Sequence, residues 1–141
     1  MCKSDKTKLK WKVREVLKRH REIIAAYLYG SKAKGYEGKG SDIDVGLLLR
    51  EDFEADALYP ARIAGEIREE CRLDQEVDVR ILNGMPYRFL HQVIKEGELI
   101  LSTDDGRRIR FEISVVDRYI DFKPFYNQYD EKRRERLLEC T

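Results

Sequence analysis

Apolar residues recur along this chain in two rhythms, and the changes of rhythm mark its elements. From Thr7 to about Arg21, the residues Leu9, Val13, Val16, Leu17 and His20 fall three or four apart, the spacing of an amphipathic helix with Trp11 at the edge of its stripe. The apolar run within Glu22–Tyr29 predicts a first strand. Gly30 and Ser31 end it, Ser31–Tyr36 predicts a short helical turn, and Glu37–Gly40 is a glycine-punctuated loop. Ile43–Leu49 is nearly all apolar, which predicts a second strand buried on both faces past its first residues. Pro60 opens a helix reaching Cys71, with Ile63, Ile67 and Cys71 as its stripe. Glu76–Leu82 alternates: Val77, Val79 and Ile81 face one way, while Glu76, Asp78 and Arg80 face the other. Pro86–Glu96 predicts a third helix with Phe89, Leu90, Val93 and Ile94 inward and Gly97 as its stop. Glu98–Ser102 is a fourth strand. Thr103 or Asp104 then caps a helix to about Phe122, with Ile109, Ile113, Val116 and Ile120 as its stripe, Phe111, Val115, Tyr119 and Phe122 adjoining, and Pro124 breaking it. Phe125, Tyr126 and Tyr129 precede the charged run Asp130–Arg136, an amphipathic tail suited to an interaction surface or to folding back on its own core. The order predicts an α/β fold, with a small mixed sheet of about four strands flanked by helices.

The chemistry concentrates in Tyr27–Leu49, YLYGSKAKGYEGKGSDIDVGLLL. In a strand, Asp42 and Asp44 point one way while Ile43 and Val45 point the other. Two carboxylates on one face repel unless a positive charge sits between them, and Mg²⁺ suits carboxylate and phosphate oxygens. Gly30 lets the backbone turn and a ligand approach. Ser31 is placed to cap a helical turn whose free N–H groups bind phosphate. Lys32, Lys34 and Lys39 surround that position. A phosphate cradle beside a cation-binding carboxylate pair points to metal-assisted chemistry on a nucleoside triphosphate. His20 is expected as a helix-end residue, and His91 and Cys71 as packing residues. Tyr36, in the loop between the two motif halves, is expected to be exposed to solvent.

Composition narrows the partners. The chain has 141 residues, enough for one domain, in which 104–141 forms a C-terminal helical extension. Charged residues make up 39%, yet the net charge is only +1, so no global field favours nucleic acid or a membrane surface. The abundance of Lys, Arg and Glu is compatible with a thermophile. No apolar run approaches membrane-spanning length, and Met1–Lys10 lacks the apolar core of a secretory signal. Cys2, Cys71 and Cys140 show neither zinc spacing nor a disulfide framework, which fits a reducing cytoplasm.

The motif GSKAKG followed by GSDIDVGLLL resembles the signature of the polymerase-beta-type nucleotidyltransferases. Within them it is most similar to the minimal nucleotidyltransferase (MNT) proteins, antitoxin partners of HEPN-domain toxins. The ordered combination is what makes the resemblance specific: Gly-Ser, a ten-residue spacer, Asp-x-Asp and a later strand carboxylate. It implies a nucleotidyltransferase fold, ATP as substrate and two Mg²⁺ ions held by Asp42, Asp44 and a third carboxylate on the neighbouring strand. Asp78 matches that third position, with Glu76 on the same face as the alternative. It implies nucleotide contacts from Gly30, Ser31, Lys34 and Ser41, where Lys34 keeps the charge but loses the fork of the Arg often found there. It further implies transfer of AMP from ATP to a tyrosine hydroxyl of a cognate HEPN ribonuclease toxin. Two other readings stand beside it. One is an adenylyltransferase acting on a small molecule or an RNA end. The other is a non-catalytic module that blocks the toxin by contact alone.

Overall fold

A computed structural model of the chain describes residues 3–30 and 43–139. Helix α1 (Lys3–Leu17) leads into strand β1 (Ile23–Tyr29), and β2 (Ile43–Leu49) follows. Then come α2 (Tyr59–Glu70), β3 (Val77–Ile81), α3 (Tyr87–Glu96), β4 (Glu98–Ser102) and α4 (Asp105–Glu139). The four predicted strands and four longer helices are present, most ends shifted by a few residues and α4 extended well past Phe122. The short helical turn expected over Ser31–Tyr36 lies outside the described residues. Helix α1 closes at Leu17, short of the expected Arg21, and leaves His20 in the turn before β1.

The four strands form one mixed sheet in the order β3-β2-β1-β4. β1 pairs antiparallel with β2 and with β4, and β2 pairs parallel with β3. A parallel pair needs a crossover, and α2 supplies it. β1 and β2 lie in the middle of the sheet and are buried almost throughout, as their unbroken apolar runs require.

The pleat sorts the core into two layers. Ile43, Val45, Leu47 and Val79 pack with Val13, Val16 and Leu17 of α1 and with Ile63 and Ile67 of α2. Tyr27 and Leu48 pack on the opposite face with Leu90 and Val93 of α3 and Val115 of α4. A register shift between Ile23 and Ala25 breaks the alternation of β1, and Ile24 and Ala25 both join this second layer. The Tyr27 hydroxyl donates to Glu112 Oε1 at 2.6 Å and fixes α4 on β1. Among the described residues no helix is long and apolar enough to cross a membrane.

Helix α4 departs from the sequence reading twice. It runs unbroken through Pro124, where a stop was expected. A proline inside a helix removes a hydrogen bond and costs about 3 kcal/mol. Packing on α3 spans the position and offsets that cost. His91 stacks on Tyr119 with ring centroids 3.7 Å apart, Tyr119 stacks on Tyr126, and the Arg88 guanidinium lies 5.3 Å over the Tyr126 ring. Arg88 also donates to Asp130 Oδ1 at 3.1 Å. The second departure concerns which face packs. Val115 is the buried residue of α4, while Ile109, Ile113 and Ile120 are exposed.

Candidate active site

Strand register gathers the chemistry into one row. Tyr29 on β1 is the Cα partner of Asp44 on β2, and Asp44 is the Cα partner of Asp78 on β3. Neighbouring strands lie about 4.8 Å apart and partners in register share a face. The face is the one covered further along by α3 and α4, since Asp44, Gly46 and Leu48 alternate with the inward Ile43, Val45 and Leu47. The row therefore opens at the end of the sheet, beside α3.

Gly30 closes one side of it. Its φ of +82° is in the left-handed region that favours glycine. A Cβ built there would stand 2.3 Å from Asp44 Oδ2. The bare backbone thus passes directly against the Asp44 carboxylate.

Arg80 and Phe89 close the other sides. Arg80 shares the Asp78 face of β3, and its Nε donates to Asp78 Oδ2 at 3.1 Å. Its guanidinium lies 5.8 Å from the Phe89 ring centroid. Phe89 on α3 meets Tyr29 edge-on, with centroids 5.8 Å apart and planes at 84°. The Tyr29 hydroxyl is buried and has no hydrogen-bond partner among the described residues. Burial pushes its pKa up to about 12; the Arg80 charge works against this, and Asp44 and Asp78 add to it. Beside the row, Tyr29, Gly30, Phe89, Gln92, Val93 and Glu96 line a cleft of about 160 Å³. A larger cavity of about 820 Å³ lies at the opposite end of β2, against Leu48, Leu49 and Asn83. It contains none of the carboxylate row, and size alone does not make it the reactive centre.

Of the residues singled out in the sequence, Gly30, Asp44 and Asp78 come together here. Asp42, Ser31, Lys34, Tyr36 and Ser41 lie outside the described residues. Glu76, the alternative third carboxylate, is exposed just before β3, 3.4 Å from Arg68 Nη1. His20 is placed elsewhere, its Nδ1 3.2 Å from Glu22 and its Nε2 2.9 Å from Glu66. His91 packs on Tyr119, and Cys71 is buried in the core as a free thiol.

Tyr29, Phe89 and the Asp78-bonded Arg80 were not assigned to the site from sequence. Strand parity puts Tyr29 on the face of Tyr27, but only the hairpin register sets it opposite Asp44. Among the described residues no group of three or more metal-ligating side chains gathers to hold an ion. What they provide is two carboxylates in register, an orphaned buried hydroxyl and a backbone approach free of side chain. That all-oxygen donor set fits a hard cation such as Mg²⁺.

Residues 11–106, most of the chain and all of this row, match the family described as Polymerase beta, Nucleotidyltransferase. The chain belongs to that family. This nucleotidyltransferase also resembles solved structures of toxin–antitoxin complexes. One, a toxin-antitoxin with AMP-PNP, aligns with a TM-score of 0.73 and 20% identity over 89% of this chain and 98% of that one. Another is a tri-AMPylated Shewanella oneidensis HEPN toxin in complex with MNT antitoxin; it aligns at 0.69 and 18% over 92% and 98% of the two chains. A third, the toxin-antitoxin MntA-HepT, aligns at 0.68 and 18% over 91% and 98%. At these identities the likeness is one of fold. Comparison with proteins of curated function gives no match.

Proposed function

We propose that this nucleotidyltransferase transfers AMP from ATP to a tyrosine hydroxyl of a HEPN ribonuclease toxin and thereby acts as its antitoxin. The observation that carries the reading is the row Asp44–Asp78 with Gly30 laid against it. A protein that inhibited by contact alone would have no need of two carboxylates held in register at an open sheet end. The likeness in fold to complexes of this kind supports the choice of partner.

In this reading Asp42, Asp44 and Asp78 would hold two Mg²⁺ ions. When bound, the ions supply charge neutralisation for the triphosphate and for both oxygens of an in-line displacement. The chain's own groups do the positioning. Gly30 and Ser31 would offer backbone N–H groups to the β- and γ-phosphates, with Lys34 and Ser41 as further nucleotide contacts, which would align pyrophosphate as the leaving group. Asp78 faces the acceptor and takes the hydroxyl proton on a carboxylate oxygen. The tyrosine oxygen then bonds to the α-phosphorus, the bond from the α-phosphorus to the bridging oxygen breaks, and pyrophosphate departs. The added adenylyl group brings bulk and negative charge to the toxin, which hinders RNA binding beside it.

The test uses ATP labelled on either its α- or its γ-phosphate, with Mg²⁺ and a candidate HEPN partner protein. The α-label is expected on the HEPN protein and the γ-label in pyrophosphate. An inhibited HEPN protein that carries no label would favour the contact-only module. Label on neither would turn attention to a small-molecule or RNA acceptor.

A further inference from the structure

We propose that Arg80 is a resident counter-ion of the carboxylate row, held by Asp78 until a divalent cation displaces it. The inference rests on the reading above, in which Asp44 and Asp78 are metal ligands. It makes Arg80 a positioning residue that acts through Asp78.

Two carboxylates in register on adjacent strands need positive charge between them whether or not metal is present. Arg80 is placed to provide it. It lies two residues along β3 from Asp78, on the same face, and its Nε bonds back to Asp78 Oδ2 at 3.1 Å. The hold is made to be released. The contact uses Nε alone rather than the guanidinium fork, and both side chains are about half exposed, at 50% for Arg80 and 45% for Asp78. Ion pairs of this kind are weak and screened by salt, whereas a divalent cation binds the same oxygens directly.

The guanidinium also has somewhere to go. It already lies over the Phe89 ring, and Arg, unlike Lys, stacks on an aromatic face as a flat plate. On β2 the Cα partner of Arg80 is Gly46, and the space over that glycine is taken by Leu82, so the ring of Phe89 is the surface left to the guanidinium. Release from Asp78 therefore leaves Arg80 on Phe89, at the wall of the site, and frees Asp78 Oδ2 for metal.

The test measures Mn²⁺ binding to the full chain by calorimetry, without nucleotide and at fixed ionic strength. Arg80→Gln is expected to bind Mn²⁺ roughly three- to tenfold more tightly than the wild type, since a weak competitor and a like charge are both removed. Arg80→Lys keeps the charge but not the stacked plate, and is expected to fall between the two. Unchanged or weaker binding in Arg80→Gln overturns the proposal, even if its unfolding temperature drops, because that pattern is the mark of a purely structural role. The double variant Asp44→Asn/Asp78→Asn serves as the reference for the ligands themselves. If it binds Mn²⁺ as tightly as the wild type, the metal-ligand reading fails first and the counter-ion role fails with it.

Discussion

Asp44 and Asp78 stand side by side as Cα partners on the parallel strands β2 and β3. Among the described residues β2 and β3 are the one parallel strand pair. Removing the charge at the outer position separates chemistry from folding. Asp78→Asn is expected to lower the transfer rate about a hundred- to ten-thousandfold, the range for loss of a proton acceptor. The same change relieves the repulsion between neighbouring carboxylates, so the unfolding temperature should hold or rise. Single-turnover transfer and thermal unfolding, measured on one preparation, check both halves.

Gly30 faces a double constraint, its φ of +82° and the 2.3 Å approach of a built Cβ to Asp44 Oδ2. Gly30→Ala strains the backbone and pushes the carboxylate out of the row together. A residue forced into the left-handed region costs about 1–3 kcal/mol. The expected outcome is that loss in denaturant unfolding, with transfer falling much further than the stability does. A variant with wild-type activity would show that the backbone need not lie against Asp44.

The Tyr29 hydroxyl is the one buried side-chain polar atom left without a partner among the described residues. A buried unsatisfied group costs about 1–3 kcal/mol, so such a hydroxyl is retained for something other than stability. Tyr29→Phe keeps the edge-on contact with Phe89 and removes only the orphan oxygen. Its unfolding temperature should equal or exceed that of the wild type, while nucleotide transfer slows. A lower unfolding temperature would mean that the hydroxyl is satisfied after all.

Parts of this were legible in the sequence, for identifiable reasons. EVDVRIL alternates so cleanly that parity alone put Asp78 on a polar face, and the chain delivers it beside Asp44. The apolar run of β2 announced a strand buried on both faces, and it lies inside the sheet between β3 and β1. Tyr29 was missed because a period of two gives a face, never a neighbour; its place opposite Asp44 comes from pairing with a strand beyond the motif loop. Arg80 was placed by parity on the face of Asp78 and given no role; Phe89, from another element, gives its guanidinium a surface. Pro124 misled in the opposite direction. Local propensity ends a helix there, but Tyr119 and Tyr126 hold it against α3 from both sides. The buried stripe of α4 was misread because both flanks of the helix are apolar, and the packing of α3 decides between them.

The α3–α4 contact carries a pH signature through His91, stacked on Tyr119. Burial lowers its pKa below the ordinary 6.5, and Lys95 and Lys123 lower it further. The folded chain therefore binds this proton less readily than the unfolded chain does. Stability from this group is complete above about pH 6.5 and is lost as the pH falls from there toward the folded-state pKa. His91→Phe keeps a flat ring on Tyr119 and removes the proton site. Between about pH 8 and pH 5, its unfolding temperature should fall less than that of the wild type. Parallel curves would place the acid sensitivity elsewhere.

The central claim is that the carboxylate row modifies a partner protein. The most direct measurement is the intact mass of a candidate HEPN partner, purified after co-expression with this chain and with its Asp42→Ala/Asp44→Ala variant. A gain of one or more AMP units with the wild type, absent with the variant, is the predicted result. An unmodified HEPN protein that is bound and silenced equally by both forms would contradict the account.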